Sequence, residues 1–281
     1  MPHINFTKMH NLGNDFIIIN NVDKNILLST QLIKKLCDRH IGIGGDQLIM
    51  LEPSRLADFY YRIYNNDGSS AVSCGNGALC LARYIEENKL VDKHQVHLEL
   101  INSNILALDK YDNTMYTVNF TSPSQDVQDI GLNLPDTRLR YTEVVDTLTF
   151  GALSVGNPHC LIVLDHQDSS YLYTNEAELL KMANMILDSK LFIHGVNISF
   201  IVLDDVNSIS IRTFERGVNQ FTNSCGTGAI ASSYYCYLSG AIHSKEIQVN
   251  MRYGSVIVQI HAEGIKLLGT PSLSFQGTAN V

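Results

Sequence analysis

Ser73-Cys74-Gly75-Asn76-Gly77-Ala78 recurs about half a chain length later as Ser224-Cys225-Gly226-Thr227-Gly228-Ala229. Each copy runs directly into an apolar stretch, 79–85 in the first case and 230–238 in the second. Such stretches are typical of helices buried on every side. The repeat therefore predicts two related halves, each built around one core helix that begins next to a cysteine.

A cysteine at a helix start has two interpretations. Cysteine is often simply buried, and one Cys-Gly pair before a helix is usually a packing feature. A helix N-terminus also attracts carboxylates and lowers thiol pKa values, and glycines allow close approach to the backbone. Because the pattern occurs twice, we favour two thiols that face one acidic small molecule.

The composition describes a globular protein with an ample core. The chain has 281 residues, 45% of them hydrophobic and 17% charged, a net charge of −8 and a pI near 5.6. An acidic chain is not expected to bind nucleic acid or a membrane surface. We see no signal peptide or membrane span, and the six cysteines lack zinc-site spacing. We expect a cytoplasmic protein with reduced thiols.

The hydrophobic pattern predicts many short strands and one buried helix in each half, which is an α+β fold. In the first half, 4–6 and 16–19 read as strands around a turn at 9–15. In the second half, Thr174 is expected to cap a helix over 175–187. The segment 121–124 is the best candidate for an inter-domain linker.

Two thiols and an acidic ligand indicate proton transfer at a carbon next to a carboxylate. Inversion at that carbon needs a base on one face and an acid on the other, so two thiols suit the task when one is ionised. The residues after each cysteine are expected to bind the carboxylate and stabilise its developing charge; they are Gly75, Asn76, Gly226 and Thr227. We expect no metal and no cofactor, because the histidines do not cluster and no dinucleotide motif or P-loop is present.

The chain resembles diaminopimelate epimerase, a pyridoxal-independent amino-acid epimerase, over 6–277. Motifs that carry the resemblance, besides the two cysteine motifs, are Lys8-Met9-His10-Asn11-Leu12-Gly13-Asn14-Asp15-Phe16, Arg39-His40-Ile41-Gly42-Ile43-Gly44-Gly45-Asp46-Gln47, Asn65-Asn66-Asp67-Gly68-Ser69, Gly156-Asn157-Pro158-His159, Val196-Asn197, Glu215-Arg216-Gly217 and Gly269-Thr270-Pro271. The resemblance implies epimerisation of LL- to meso-diaminopimelate, in lysine and cell-wall precursor biosynthesis.

The resemblance also implies roles for single residues. Cys74 and Cys225 would be the acid/base pair, and His159 and Glu215 would tune the two thiols. Residues implied to hold the end of the substrate that does not react are Asn14, Gln47, Asn65, Asn157, Asn197, Glu215 and Arg216. Arg216 can bind a distal carboxylate through two parallel hydrogen bonds.

The architecture implied is two pseudo-symmetric domains, each a curved, mostly antiparallel sheet around a central helix, with the site in the cleft between them. The expected domains are 1–121, with the last strand 269–281 returning to it, and 122–268. The implied partners are the amino-acid substrate and a second copy in a homodimer.

The chain departs from the family at several positions. Asn11 stands where the family usually has glycine, Gly45 where it has phenylalanine, and Leu79 where arginine is common. The loop 218–222 is one residue longer than usual and lacks the family's second glutamate. The altered loop leaves open a racemase of another amino acid, such as histidine. A non-catalytic amino-acid-binding protein is a third alternative, and the intact Cys74 and Cys225 argue against it.

Overall fold

The structure is a computed structural model and describes residues 3–145 and 147–280. The chain forms two compact units, Met1–Asn119 with Leu268–Val281, and Phe120–Leu267. The sequence-based boundaries lie at 121/122 and 268/269. Met1 and Pro2, the beginning of the segment considered for a signal peptide, lie outside the described residues.

Among the described residues, the first half of the chain contains eight strands and two helices. In chain order these are β1 (His3–Asn11), β2 (Asn14–Asn20), α1 (Thr30–Cys37), β3 (Gln47–Glu52), β4 (Phe59–Asn65), β5 (Ser70–Ala71), α2 (Gly75–Glu87), β6 (Gln95–Glu99), β7 (Ile105–Lys110) and β8 (Tyr116–Phe120).

The second half contains the remaining elements. They are α3 (Val127–Ile130), β9 (Tyr141–Val145), β10 (Leu148–Ser154), β11 (Pro158–Val163), α4 (Tyr171–Thr174), α5 (Glu176–Asp188), β12 (Asn197–Asp205), β13 (Ser208–Glu215), β14 (Gln220–Phe221), α6 (Gly226–Leu238), β15 (Glu246–Met251), β16 (Gly254–His261), β17 (Gly264–Gly269) and β18 (Ser272–Asn280).

The strand pairings repeat between the two units. In the first unit, β1–β2 and β3–β4 are antiparallel, whereas β2–β3 and β4–β6 are parallel. In the second, β10–β11 and β12–β13 are antiparallel, whereas β11–β12 and β13–β15 are parallel. β18 is an addition to the first unit, where it pairs antiparallel with β1. The repeat confirms the predicted α+β fold with two pseudo-symmetric domains.

The predicted core helices are α2 and α6. α2 contacts β1, β2 and β7, and α6 contacts β10, β11, β12, β13, β15 and β16. Leu79 and Ile230 are completely buried where the two helices begin. The apolar runs lie in largely buried helices because strands pack against each one, although α2 exposes Glu86 and Glu87 at its end. The cysteines are held in place at the starts of these helices.

Several local predictions were wrong. The turn expected over 9–15 is only Leu12-Gly13, and β1 continues to Asn11, which pairs with Asn14. Both turn residues have positive φ, 52° and 83°, as a two-residue hairpin turn requires. Thr174 does not cap the following helix: it ends α4, and Asn175 is the N-cap of α5. The short elements β5, β14 and α3 were not predicted, because elements of two to four residues are too short to show a hydrophobic periodicity.

Candidate active site

Cys74 and Cys225 occupy the same place in the two units, the N-cap of α2 and of α6. Both have extended backbones, with φ/ψ of −141°/121° and −133°/108°. The carbonyl group of each cysteine accepts the N–H of a helix alanine at 2.9 Å. At both sites the helix therefore directs its first N–H groups and its partial positive charge toward the region of the thiol.

The second glycine of each motif is required by packing. A Cβ atom on Gly77 would lie 2.6 Å from the Tyr61 hydroxyl, and one on Gly228 would lie 2.9 Å from Thr213 Oγ1. Tyr61 is buried and donates a hydrogen bond to the Cys74 carbonyl at 3.2 Å. These two glycines let the start of each helix pack closely on the neighbouring strand, whereas close approach of a ligand was the expected reason for them.

A chain of amide groups leads to the Cys74 thiol. Asn14 follows the hairpin turn and accepts a hydrogen bond from Cys74 Sγ at 3.6 Å. Its oxygen also accepts from Asn76 Nδ2 at 3.3 Å, and Asn76 in turn accepts from Asn11 Nδ2 at 2.8 Å. Asn14 Nδ2 donates to Asp46 Oδ2 at 3.1 Å. The first unit thus brings the predicted residues Asn14, Cys74 and Asn76 together.

A second amide pair lies at the adjoining ends of β3 and β4. Gln47 and Asn65 are opposite each other in the ladder, and Gln47 Nε2 donates to Asn65 Oδ1 at 2.9 Å. Gln47 Oε1 is buried and has no hydrogen-bond partner within the described part of the chain. Phe16, two residues after Asn14, pairs with Gln47 across the parallel ladder. β2 and β3 therefore present their predicted site residues at the same edge of the sheet.

Four charged groups to which no role was predicted from the sequence hold this part of the first unit together. Arg39 binds both carboxylate oxygens of Asp15, at 2.9 and 2.8 Å, and Asp46 Oδ1 at 2.8 Å. Lys8 lies 2.6 Å from Asp15 Oδ2 and also donates to the Gly44 carbonyl. The backbone N–H of each aspartate donates to the other's carboxylate. The family-like motifs contain all four residues, but only the fold joins them.

The two carboxylates differ in their surroundings. Burial opposes ionisation of Asp15, but its hydrogen bonds from Arg39 and Lys8 prevail and hold its pKa well below the ordinary value. Burial and the neighbouring Asp15 raise the pKa of Asp46, although Asn14 and the Asp15 N–H donate to it. The Arg39 guanidinium between them favours the ionised form of both.

Cys225 has a different environment from Cys74. Its sulfur accepts the Gly228 N–H at 3.4 Å and lies 3.7 Å from Thr227 Oγ1. The Thr227 hydroxyl lies 3.1 Å from His159 Nε2 and accepts from Asn157 Nδ2 at 3.3 Å. The second unit thus brings together four of the predicted residues: Cys225, Thr227, His159 and Asn157.

His159 is completely buried. Burial, with a smaller effect of Arg216, lowers its pKa to about 3. The imidazole is therefore neutral at physiological pH. Its Nδ1 has no hydrogen-bond partner within the described residues, and its Nε2 is also 3.2 Å from Asn157 Oδ1. A neutral ring next to Thr227 can order the hydroxyl near Cys225.

Arg216 and Asn197 are joined through the backbone. Asn197 begins β12, and its side-chain oxygen accepts the Arg216 N–H at 2.9 Å. The Arg216 guanidinium donates to the His194 carbonyl at 3.0 Å and is exposed. Gly195, at φ 72°, lies under the Arg216 stem, where a Cβ would approach Arg216 Cδ to 3.1 Å. The guanidinium is thus a fixed, accessible cation.

The altered loop forms a short hairpin after Glu215. Gly217 and Asn219 have positive φ values of 88° and 53°, and β14 pairs Gln220 with Glu215. The Thr222 hydroxyl donates to the Glu215 carboxylate. The longer loop therefore supplies a hydrogen bond to one of the predicted site residues, which the sequence analysis did not foresee.

Three single-residue departures lie in the first unit. Asn11 is buried and donates to Asn76. The space next to Gly45 is taken by Lys8 and Ile17, at 3.1 and 3.2 Å from a constructed Cβ. Leu79 is completely buried. Asn11 adds a side-chain amide to the chain of hydrogen bonds that reaches Cys74.

The predicted site residues occupy equivalent positions in the two units. Asn14 and Asn157 each follow a glycine with positive φ, Gln47 and Asn197 each begin a strand, and Asn65 and Glu215 each end one. Within the described residues no group of three or more His, Cys, Asp or Glu side chains could hold a metal ion. None of the helices described has the length and apolarity needed to cross a membrane.

Comparison with known proteins places the chain in a family. The family model for diaminopimelate epimerase matches residues 6–124 and 151–274. The chain belongs to the diaminopimelate epimerase family. It is thereby placed among isomerases that act as racemases or epimerases, and the substrate is a separate question.

Three solved structures with a similar fold have low sequence identity to this chain. A hydroxyproline epimerase from Agrobacterium vitis, with bound trans-4-hydroxy-L-proline, is 13% identical with a TM-score of 0.68, covering 98% of this chain and 92% of that one. A methylitaconate-delta-isomerase is 12% identical with a TM-score of 0.69, covering 99% and 95%. A PhzF-family phenazine biosynthesis protein from Bacillus anthracis is 14% identical with a TM-score of 0.65, covering 100% of both chains. At such identities the likeness concerns the fold alone.

Proposed function

We propose that the protein epimerises LL-diaminopimelate to meso-diaminopimelate without pyridoxal phosphate or metal. The main support for this proposal is that each unit has a cysteine at the N-cap of a buried helix, with amide side chains at equivalent positions around it. One thiolate would take the α-proton, and the other thiol would return a proton to the opposite face. Because the two groups are of the same kind, the reverse reaction only exchanges their roles.

The helix starts support this chemistry electrostatically. As the α-proton leaves, negative charge moves onto the substrate carboxylate. The first N–H groups of a helix, among them those of Gly75 and Gly226, are donors that can stabilise that charge. They are preorganised here because both glycines are buried at helix starts packed on strands. This stabilisation would lower the barrier to forming the carbanion.

Arg216 and Glu215 support the choice of diaminopimelate. This substrate carries a second carboxylate and a second ammonium group, which a racemase of a simple amino acid need not bind. Arg216 is an exposed guanidinium fixed to the His194 carbonyl, and the carboxylate of the adjacent Glu215 is held by Thr222. The pair offers one cation and one anion to the distal amino-acid group, while Asn14, Gln47, Asn65, Asn157 and Asn197 add directed hydrogen bonds.

A substrate panel with Arg216 variants tests this assignment. Loss of a charge-assisted contact in a closed site costs roughly 2–5 kcal/mol, or on the order of 30- to several-thousand-fold in rate. Arg216→Met should lose turnover of diaminopimelate by about that factor and retain the wild-type circular dichroism spectrum. Arg216→Lys is the matched control, because lysine keeps the positive charge but lacks the planar guanidinium. Its turnover of diaminopimelate should lie between those of the wild type and Arg216→Met.

A racemase acting on another amino acid is the second candidate. It is favoured by the lengthened loop, which places Thr222 against Glu215 instead of the family's second glutamate. This candidate predicts faster turnover of L-histidine or L-alanine than of LL-diaminopimelate, and little effect of Arg216→Met on the preferred substrate. A preference of that kind would show that our substrate assignment is wrong.

A further inference from the structure

Phe221 is a partly buried aromatic residue in the lengthened loop, directly before Thr222. We propose that Phe221 is a positioning residue that sets the register of the β13–β14 hairpin and so holds the Thr222 hydroxyl on the Glu215 carboxylate. Its ring is fixed in the core of the second unit and against the Arg212 guanidinium. This inference deepens the proposed function, because it assumes that Glu215 belongs to the substrate site.

The hairpin has one face toward the core and one toward the candidate site. Successive side chains of a strand point to opposite faces, so Phe214 and Glu215 lie on different faces of β13. Phe221 is directly opposite Phe214 in the ladder and shares its face. Thr222, one residue later, therefore lies on the face of Glu215. The Thr222 N–H continues the pairing with a hydrogen bond to the Thr213 carbonyl at 3.1 Å.

The Phe221 ring packs among aromatic side chains of the second unit's core. Its centroid lies 5.4 Å from that of Phe214, in an edge-to-face arrangement, and 6.1 Å from that of Phe200. Both of these residues are buried, Phe200 completely. Aromatic pairs at such distances add to the stabilisation that burial provides. The ring thus has a defined place in the core, whereas Val218 in the same loop is 51% exposed.

A buried cation lies over the same ring. The guanidinium carbon of Arg212 is 4.4 Å from the centroid of the Phe221 ring. The Arg212 side chain is only 7% exposed, and it donates hydrogen bonds to the Leu172 carbonyl, at 2.7 Å, and to the Glu176 carboxylate. A cation that is shielded from water attracts an aromatic face more strongly than an exposed one does. Arg212 thereby joins the hairpin to α4 and α5.

The register of this hairpin decides which side chain reaches Glu215. A shift of one residue would exchange the two faces, bringing the Phe221 ring to the Glu215 face and the Thr222 hydroxyl into the core. Exposing the ring and burying the hydroxyl both oppose that shift. Because β14 is only two residues long, its backbone pairing alone specifies the register weakly. The anchored ring therefore fixes the position of Thr222.

The first experiment is hydrogen exchange of the full-length protein without substrate, followed by mass spectrometry of a fragment spanning 217–222. Phe221→Ala should speed exchange of this fragment about tenfold or more, while fragments of α6 keep the protection they have in the wild type. Phe221→Leu keeps apolar bulk without the ring, should show a smaller increase, and serves as the test if Phe221→Ala does not fold. Val218→Ala is the matched control and should stay within about twofold of the wild type. Unchanged exchange in the Phe221 variants would overturn the proposal.

A double-mutant cycle with Thr222→Val tests whether Phe221 acts through the Glu215 contact. The kinetics are measured on the amino acid that the wild type turns over fastest, so a wrong substrate assignment does not affect the result. Phe221→Ala should change KM and kcat in the same pattern as Thr222→Val, and adding it to Thr222→Val should lower kcat/KM by no more than about twofold. Multiplicative losses would mean that Phe221 acts by another route, and the proposal would be wrong. Hydrogen exchange needs no turnover, so it tests the anchor separately from the proposed function.

Discussion

The neutral, buried His159 should make the protein lose stability as the pH falls. The pKa of His159 is about 3 in the folded protein, against 6.5 for an exposed histidine, because burial disfavours the imidazolium and Arg216 adds repulsion. Between these two values the unfolded chain binds a proton that the folded chain does not. Stability therefore rises with pH across this window, by up to about 1.4 kcal/mol per pH unit. From about pH 6 to about pH 4.5 the loss due to His159 alone is about 2 kcal/mol.

The assay is urea unfolding of the wild type and of His159→Gln at several pH values across that window. Carboxylates such as Asp15 titrate in both proteins, so the difference between the two curves isolates His159. The wild type should lose about 2 kcal/mol more than the variant. His261→Gln, at an exposed position in β16, is the matched control and should follow the wild type. Parallel curves for wild type and His159→Gln would refute the reasoning.

Three further results are expected. Thr222→Val should lower the catalytic efficiency by about ten- to hundredfold, because the Glu215 carboxylate loses a charge-assisted hydrogen bond. Thr222→Ser keeps the hydroxyl and should have an efficiency near that of the wild type. Equal losses in the two variants would mean that Thr222 acts through packing. Lys89→Gly should raise the free energy of unfolding, measured with urea, by about 0.5–1 kcal/mol, because Lys89 has a φ of 50° just after α2. A decrease would mean that the lysine side chain contributes more than the backbone conformation costs. Cys74→Ala and Cys225→Ala should each lose turnover by several orders of magnitude, and near-normal activity in either would exclude a two-thiol mechanism.

The features that could be predicted from the sequence are the ones that repeat or have a period. The two cysteine motifs and their apolar runs located α2 and α6, because the strands packed against these helices bury most of their residues. The apolar pattern also predicts strands over 116–120 and 141–145, which are the bounds of β8 and β9. The resemblance supplied the site residues, and the fold brings them to equivalent strand ends and turns in each unit.

The features that could not be predicted depend on contacts between distant segments. Arg39, Asp15 and Asp46 are joined only because β2 and β3 lie side by side. The turn at Leu12 has a positive φ at a residue with a branched side chain, which local preference disfavours. The contact of Thr222 with Glu215 depends on a two-residue strand. Hydrogen-bond partners of this kind can be read only once distant segments have been brought together by the fold.

The central claim is that two thiols exchange protons with opposite faces of one α-carbon of diaminopimelate. The measurement that tests it most directly is incubation of the protein with LL-diaminopimelate in D₂O, without pyridoxal phosphate or metal, followed by analysis of deuterium in substrate and product at early times. Our account predicts one deuterium in each meso molecule and none in the remaining LL substrate, because the new proton comes from a solvent-exchanged thiol on the other face. Equal labelling of substrate and product, or no labelling at all, would contradict it.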